Sequence, residues 1–375
     1  MSGLIYLDNA ATTFPKPKCV TDAVHEAMTK KGGNPGRGSH WLSGKAAELV
    51  YDTRETAAKM FGAKPENVVF TANATQVLNY AIKGLARKGC HVLLDNYAHN
   101  AAYRPVIALS RERVCTFDVY DASGSAEETV ARIKDKLRPD TTIVIATHQS
   151  NITSKILPIG EIGKLCKFRG IHFIVDASQS AGHISIDLER ESITALCLPG
   201  HKGLFGPMGV GMLISADGVK YKTVIEGGAG ISSLDAGMPA ELPERLEAGT
   251  LPLPAIAGLN MGMKWVGEIG IERIHSYEKM LSEIITREAG RINGLQTYGE
   301  CGGSVVSFNI SGFSPSEIGE YLSSRGICVR TGYHCAPLAH RTVGSFDEGS
   351  VRVGISYMNR PSDIYALFEA LRELR

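Results

Sequence analysis

The 375-residue sequence is notable first for features that it lacks. No window approaches about 18 consecutive apolar residues, so we expect no membrane-spanning helix and no membrane partner. The N-terminal stretch "MSGLIYLDNAATT" has neither the basic region nor the apolar core of a secretory signal, which predicts a cytoplasmic protein. The formal net charge is only +1 and no long run of one sign occurs, which argues against a nucleic-acid partner.

The eight cysteines are scattered and form no CxxC pair. Several lie inside apolar runs, where cysteines in a reducing compartment behave as small buried hydrophobic side chains. Cys335 differs, because its neighbours in "TGYHCAPLAH" are polar and typical of a loop. We therefore expect seven structural cysteines and one exception, Cys335.

A regular alternation of short apolar runs and helical stretches extends from about residue 50 to 215. The runs are too uniformly apolar for strands with one solvent face, so they predict strands that are buried on both faces. Such strands, alternating with helices, indicate a mostly parallel central sheet in a three-layer α/β domain. A chain of this length is expected to contain a large domain and a smaller one.

The second half of the sequence changes character. Residues 224–252 are rich in Gly, Pro and Ser and form too long a connector for a compact domain without a function. A helical region at about 253–292 follows, and the strand and helix order after it predicts a small C-terminal α+β domain. We expect a large domain at 15–255, and a small domain at 256–375 that also includes residues 1–14.

Polar side chains follow five of the predicted strands. Ligands of open parallel sheets bind beyond the carboxyl ends of the strands. A single Asp or Asn there commonly caps the next helix, but seven polar residues at one edge favour a site. The seven residues are Thr75, His99, Asn151, Asp176, Gln179, His201 and Lys202.

Lys202 is framed by glycines and a proline in "LPGHKGLFGPMGVGML". It is either an ordinary surface lysine or a residue whose amine is brought to a ligand. A Walker phosphate loop is excluded, because Gly203 follows the lysine where Ser or Thr is required. A Schiff-base lysine is the other interpretation. Asp176 would then pair with a pyridinium nitrogen, Thr75 at a helix N-terminus would hold a phosphate, and His99 would cover the ring.

Four motifs, in this order, carry a resemblance to a known family: "VDASQSAGH", "GHKGLFGPMGVG", "RLEAGT" and "VRTGYHCA". They resemble those of the cysteine desulfurases, in the class V aminotransferase group of pyridoxal-5′-phosphate (PLP) enzymes with fold type I. The resemblance extends from "YLDNAATT" at 6–13 to the arginine strand at 351–355, which is essentially the whole chain. "RTGYHCA" matches the R-x-G-x-H-C pattern of the group II, SUF-type desulfurases. These enzymes mobilise sulfur for iron–sulfur cluster assembly.

The resemblance implies a reaction and the residues that perform it. L-cysteine would become L-alanine, and its sulfur would remain as a persulfide on Cys335. Lys202 matches the lysine that holds PLP and later removes the substrate Cα proton. Asp176 matches the carboxylate that keeps the pyridine nitrogen protonated, and His99 matches the histidine stacked on the ring. The other matched cofactor contacts are Gln179 and Asn151 near the ring hydroxyl, and Thr75, Ala74 and His201 near the phosphate.

Further matched residues concern the substrate and a second subunit. Arg352 matches the arginine that grips the substrate α-carboxylate, for which a planar guanidinium is suited because it binds bidentately. Arg330, Asn34 and His40 are additional candidates for the mouth of the site. Thr250 matches a phosphate contact donated across a dimer interface. The resemblance therefore implies a homodimer with shared active sites, and a sulfur-acceptor protein is a further expected partner.

The surroundings of Cys335 allow two more expectations. Arg330 or His334 is predicted to favour the thiolate, which is the reactive form of cysteine. His334, Cys335 and His340 also cluster in the sequence, but no complementary ligand set with closed-site spacing accompanies them, so we expect no metal site.

The sequence departs from the family pattern at three positions. Asn73 and Ser154 stand where glycine is usual, and Pro199 stands where a phosphate-binding serine often lies. These departures leave the subfamily open, and a selenocysteine lyase or a related PLP-dependent C–S lyase, such as one acting on cysteine sulfinate, is the alternative function. Intact Lys202 and Cys335 argue against a silent scaffold or sulfur-relay subunit. No DNA-binding module precedes the PLP domain, which disfavours a transcription factor.

Overall fold

The structure is a computed structural model that describes residues 3–36, 38–299 and 302–374. Within these residues the chain forms thirteen β-strands and eleven α-helices. The strands are β1 (Ile5–Tyr6), β2 (Val68–Thr71), β3 (Cys90–Asp95), β4 (Cys115–Tyr120), β5 (Thr141–Thr147), β6 (His172–Asp176), β7 (Ala195–Pro199), β8 (Gly211–Ser215), β9 (Leu295–Tyr298), β10 (Val305–Ile310), β11 (Ile327–Cys328), β12 (Arg330–Gly332) and β13 (Ser350–Gly354). The helices are α1 (Lys18–Thr29), α2 (Trp41–Phe61), α3 (Ala74–Leu85), α4 (Asn100–Arg111), α5 (Ala126–Lys136), α6 (Ile159–Arg169), α7 (Leu253–Ile269), α8 (Ile271–Ala289), α9 (Pro315–Ser324), α10 (Pro337–Val343) and α11 (Pro361–Glu373).

Seven strands form the large sheet, in the order β2-β8-β7-β6-β5-β3-β4. Strand β8 runs antiparallel to β2 and β7, and the remaining pairs are parallel. Successive residues of β7 enter opposite cores: Leu196 and Leu198 pack into one, and Ala195 and Cys197 into the other. Because both faces of the sheet are covered, its strands read as uniformly apolar runs. The predicted three-layer domain with a mostly parallel sheet is confirmed.

A four-stranded antiparallel sheet, β12-β13-β10-β9, forms the smaller unit. Its core joins apolar residues of β10 and β13 to buried faces of α8, α9 and α11, for example Leu281, Ile318 and Leu367. Leu7 from the N-terminal segment lies in the same core. The predicted smaller α+β domain at the C-terminal end is therefore confirmed.

The N-terminal segment connects the two sheets. Strand β1 pairs in parallel with β11, and the Gly354 N–H donates to the Leu7 carbonyl at 2.7 Å. A few residues later, the Thr13 N–H donates to the His201 carbonyl at 3.1 Å. This segment therefore runs from the small sheet to the loop that follows β7.

Several elements differ from the sequence-based expectation. Helices α1, α2, α4 and α10 and strands β1, β9 and β12 were not predicted, and of these α10 and the three strands are short, with seven residues or fewer. The predicted helical region at 253–292 is two helices, α7 and α8, and Gly270 between them has a φ of 92°. This conformation favours glycine and interrupts a helix. The predicted domain boundary at 255 falls inside helix α7, which packs into the core of the large sheet, and the boundary itself stays a prediction.

No helix in the described part of the chain combines the length and the apolar character needed to cross a bilayer. Among the described cysteines, Cys90, Cys115, Cys166 and Cys197 are buried, whereas Cys19 and Cys328 are half-buried. Cys301 lies outside the described residues.

Candidate active site

A cavity of about 280 Å³ lies at the carboxyl edge of the large sheet. It is bordered by the segments that follow β2, β3, β5, β6 and β7, and by β12 and β13 of the small sheet. We call it the Lys202 cavity. Eleven of the fourteen predicted site residues line it: Ala74, Thr75, His99, Asn151, Asp176, Gln179, His201, Lys202, Arg330, Cys335 and Arg352.

Lys202 lies on a tight loop between the antiparallel strands β7 and β8. Its carbonyl accepts from the Phe205 N–H at 2.8 Å and from the Thr13 hydroxyl at 3.2 Å. A Cβ atom on Gly203 would clash with the Ala181 carbonyl and with the ring of a neighbouring histidine, so glycine is needed for this close packing. The glycines around Lys202 therefore fix the loop on which its amine is presented.

Burial and the positive charge of Arg352 lower the pKa of Lys202 to about 8. Near this pH the amine is neutral in a large share of molecules and is able to act as a nucleophile or a base. Asp176 lies buried at the end of β6, and its carboxylate accepts from the Ser178 N–H at 3.0 Å. Burial raises the pKa of Asp176, and the hydrogen bonds from Ser178 and the nearby Lys202 charge only partly oppose this effect.

Two histidines of the cavity are held in the neutral form. His99 caps helix α4, and its Nδ1 accepts from the Ala101 N–H at 3.0 Å. Burial, with the charge of Lys202, lowers the pKa of His99 to about 3 and that of His201 to about 4. Near neutral pH these rings offer an uncharged face and an N–H donor, and neither adds a positive charge.

The first turn of α3 borders the cavity through Ala74 and Thr75. Asn73 is the N-cap of this helix, and its side-chain oxygen accepts from the Gln76 N–H at 3.0 Å. The backbone of Asn73 is extended, with a φ of −174°, so the position does not require the usual glycine. Pro199 is the last residue of β7 and also lines the cavity.

Ser154, the third departure, lies just beyond the cavity. Its φ of 57° is in the left-handed region, which explains why glycine suits this position. The Ser154 hydroxyl accepts from the Val305 N–H at 3.0 Å and donates to the Val305 carbonyl at 2.8 Å. The serine thus links the loop after β5 to the first residue of β10.

Cys335 is exposed and lies on a strained turn, residues 332–336, which we call the nucleophile turn. His334 and Cys335 have φ values of 48° and 57°, although neither is glycine. Two donors from the large domain hold their carbonyls: the Asn151 amide donates to His334 at 2.9 Å, and the Asn100 N–H donates to Cys335 at 2.7 Å. Unfavourable backbone conformations of this kind persist where the surroundings hold them.

His334 does not carry the positive charge that the sequence suggested. It is buried, its Nε2 lies 3.0 Å from the Ser350 carbonyl, and its ring stacks on that of His340. Burial and the charge of Arg352 lower the pKa of His334 to about 2. The prediction that His334 favours a thiolate by its charge is therefore wrong, and Arg330 is the remaining candidate of the two.

Arg352 and Arg330 face each other across strands β13 and β12. The Asp8 carboxylate lies between them: Oδ1 is 3.2 Å from Arg352 Nη2, and Oδ2 is 3.1 Å from Arg330 Nε. Arg352 Nη1 also donates to the Asn151 carbonyl at 3.4 Å. Asp8 lies in the "YLDNAATT" stretch but is not among the site residues predicted from sequence, and the two arginines that it contacts are 322 and 344 positions away.

Three predicted residues do not reach the Lys202 cavity in this chain. Thr250 and Asn34 line a second cavity of about 940 Å³, which we call the Thr250 cavity. His40 is the N-cap of α2, where its Nδ1 accepts from the Ser43 N–H at 3.3 Å.

The end of β5 adds two residues that sequence reasoning missed. Thr147 and Gln149 are buried, and both line the Lys202 cavity. Each has a side-chain oxygen without a hydrogen-bond partner among the described residues. The sequence did contain an indication of both residues, because Gln149 lies in the polar segment "HQSN" at 148–151 that follows β5, and Thr147 directly precedes it.

Comparisons with known proteins agree with one another. A family model described as "Aminotransferase class-V" matches residues 5–367. A "Probable cysteine desulfurase" from Methanothermobacter thermautotrophicus is 32% identical over 379 residues, covering 99% of this chain and 94% of that protein. One from Pyrococcus abyssi is 30% identical over 383 residues, with the same coverage of 99% and 94%. The apo structure of a cysteine desulfurase from Thermococcus onnurineus NA1 superposes with a TM-score of 0.91 at 29% identity, again covering 99% of this chain and 94% of that one.

Proposed function

The chain belongs to the cysteine desulfurases of the class-V aminotransferase family, and we propose that it is a PLP-dependent enzyme that converts L-cysteine to L-alanine. One observation carries the proposal for the site: Lys202 and Cys335 border the same cavity. A lysine suited to hold the cofactor and a cysteine suited to receive sulfur are thus brought to one place.

The residues of the Lys202 cavity suit PLP. Six buried polar atoms of its lining have no hydrogen-bond partner among the described residues: Thr147 Oγ1, Gln149 Oε1, Asn151 Oδ1, His201 Nδ1, His334 Nδ1 and Arg352 Nε. Each such atom costs about 1–3 kcal/mol if it stays unpaired, so the site favours a polar ligand. A protonated ring nitrogen would also give the buried Asp176 carboxylate the positive partner that it needs.

The chain's own residues would divide the work as follows. Lys202 would bind the cofactor covalently, Asp176 would pair with the ring nitrogen, and the neutral His99 would cover the ring. The first turn of α3, with Thr75, and the His201 ring would hold the phosphate. When bound, PLP withdraws electrons from the substrate Cα.

Two further residues would act on the substrate. Arg352 Nε, buried and without a partner among the described residues, would donate to the α-carboxylate. The Lys202 amine, neutral in a large share of molecules near pH 8, would take the proton from Cα.

The sulfur step needs no external oxidant. The Cys335 thiolate attacks the substrate sulfur, so that an S–S bond forms while the substrate Cβ–S bond breaks. The carbon fragment keeps the electron pair of that bond and takes up a proton, which yields L-alanine. The sulfur remains as a persulfide on Cys335, from which a thiol or a sulfur-acceptor protein would remove it. Delivery to iron–sulfur cluster assembly and a cytoplasmic location remain part of this proposal.

The proposal includes a homodimer in which Thr250 serves the partner's site. Exposed apolar side chains support it: Trp41 and Tyr51 on α2, and Ile231 and Leu234 in the loop at 224–252. Asn34, close in sequence to α2, and Gly230 in this loop line the Thr250 cavity. Of the four, Tyr51 and Ile231 also line this cavity. Exposed apolar residues that border one cavity mark an interaction surface, and a second copy would cover them.

A direct assay tests the function. Protein purified with PLP should release alanine and sulfide in equal amounts from L-cysteine in the presence of a thiol reductant. Lys202→Ala should abolish both products and the visible absorbance of lysine-bound PLP. Cys335→Ser should keep that absorbance and lose sulfide release, and sustained desulfuration by this variant would contradict the role of Cys335. L-selenocysteine, assayed in parallel, separates a desulfurase from a selenocysteine lyase.

A further inference from the structure

Asp8 contacts both arginines of the Lys202 cavity but is not itself among the residues that line the cavity. The Arg352 side chain is only 3% exposed and the Asp8 side chain 15%, whereas that of Arg330 is 51% exposed. The backbone bridge between Asp8 and Gly354 fixes this carboxylate next to β13. The backbone therefore holds the Asp8 carboxylate in place between the two arginines.

Asp8, Arg330 and Arg352 together carry one net positive charge. Arg330 and Arg352 are directly opposite on adjacent antiparallel strands, a placement in which like charges repel. One carboxylate between two guanidinium groups leaves one net positive charge. Lys202 and Asp176, which also line the cavity, offset each other when both are ionised.

The hydrogen bonds of Arg352 limit which of its guanidinium atoms can bind a ligand. Nη2 is engaged by Asp8 and Nη1 by the Asn151 carbonyl, which leaves Nε as the atom without a partner among the described residues. An incoming anion therefore meets a guanidinium that is already oriented and partly neutralised. A second negative charge on the same ligand would lie in the field of the Asp8 carboxylate.

We propose that Asp8 is a positioning residue that adapts the arginine pair to one carboxylate and disfavours dianionic ligands. This inference rests on the proposed role of Arg352 in binding the substrate carboxylate. It would make L-cysteine, with one carboxylate, a better substrate than acidic analogues such as L-aspartate or L-cysteine sulfinate. Specificity then comes from a repulsive element as well as an attractive one.

Protection of Cys335 from iodoacetamide tests the proposal without any turnover. Propionate and succinate serve as a monoanion and a dianion of related chemistry, and alkylation is read on the Cys335 peptide by mass spectrometry. For each anion we take the concentration that halves the rate of alkylation, and we compare the two values as a ratio of propionate to succinate. In Asp8→Asn, this ratio should rise about tenfold at low ionic strength, because succinate then protects relatively better, and it should rise less in high salt. The same variant should shift kcat/KM from L-cysteine towards L-cysteine sulfinate.

Two variants separate charge from structure. Asp8→Glu keeps the charge and should keep the wild-type ratio. Asp121→Asn removes a carboxylate from a remote ion pair with Arg132 and should leave the ratio unchanged. A folded Asp8→Asn protein with the wild-type ratio, or with equal weakening of both anions, would overturn the proposal, and so would a wild-type protein that neither anion protects. A shifted ratio in a protein that does not desulfurate L-cysteine would refute only the proposed function.

Discussion

At the scale of single residues, Lys202 shows how strongly neighbours determine chemistry. Burial lowers its pKa most, Arg352 and Arg330 lower it further, and Asp176 and Asp8 act in the opposite direction. A lysine in water would be almost fully protonated at neutral pH. The resulting pKa of about 8 makes the amine reactive under conditions in which a lysine in water is not.

The pH dependence of cofactor attachment follows from this value. The rate at which PLP attaches to the apo-protein should rise with pH through a midpoint near 8, because the neutral amine is the reactive form. Arg352→Gln should raise the midpoint, since removal of a nearby positive charge favours the protonated lysine. Arg330→Gln should act in the same direction with a smaller shift. The visible absorbance of protein-bound PLP measures the rate, and an unchanged or lower midpoint in Arg352→Gln would contradict the assignment.

At the scale of elements, the nucleophile turn depends on parts of the chain that are far away in sequence. Left-handed backbone at two consecutive non-glycine residues costs about 1–3 kcal/mol at each, so the turn needs external support. The Asn151 amide and the first N–H of α4 supply it. Asn151 was predicted to lie near the cofactor ring. Its hydrogen bond to His334 shows that it also contacts the nucleophile turn.

Asn151→Asp tests this support, because it replaces a donor by an acceptor of nearly equal shape. The carboxylate would repel the His334 carbonyl, and the turn should loosen. We expect alkylation of Cys335 in the apo-protein to become severalfold faster and sulfur transfer to fall by about tenfold or more, since misplaced groups react slowly. Gln179→Glu is the matched control: it makes the same change in the same cavity, but its amide bonds to the Ala10 carbonyl. Equal alkylation rates in both variants would argue against a role for Asn151 in the turn.

At the scale of the whole molecule, eleven of the fourteen predicted site residues border one cavity of a single chain, and Thr250, Asn34 and His40 do not. These residues lie at or near the Thr250 cavity and the N-terminal part of α2, close to the exposed apolar side chains. In the homodimer proposed above, this region of one subunit would serve the Lys202 cavity of the other. The proposed assembly therefore predicts activity that neither of two defective subunits has alone.

Subunit mixing tests that assembly. Lys202→Ala should be inactive, and Thr250→Val should bind PLP more weakly and lose activity at limiting PLP. A mixed dimer has one site that combines an intact Lys202 with the partner's intact Thr250. Equal mixing with random reassociation should restore about a quarter of the wild-type activity. Activity that stays at the sum of the two variants would show that Thr250 does not act across the interface.

The local sequence pattern was enough to predict the buried strands, the position of the cavity and the family. Uniformly apolar runs identified the buried strands, and polar residues at five strand ends marked the cavity, because parallel strands deliver their carboxyl ends to one edge. The motifs around Lys202 and Cys335 determined the family in the same way.

Only the tertiary structure placed Asp8 between two arginines more than 300 positions away, as the separations of 322 and 344 show. It also held Cys335 in a left-handed turn and made His334 neutral. These properties come from burial and from contacts between distant segments, which no local spacing encodes. Sequence thus determined which reactive groups are present, and tertiary structure decided their charge, their orientation and which of them meet within one chain.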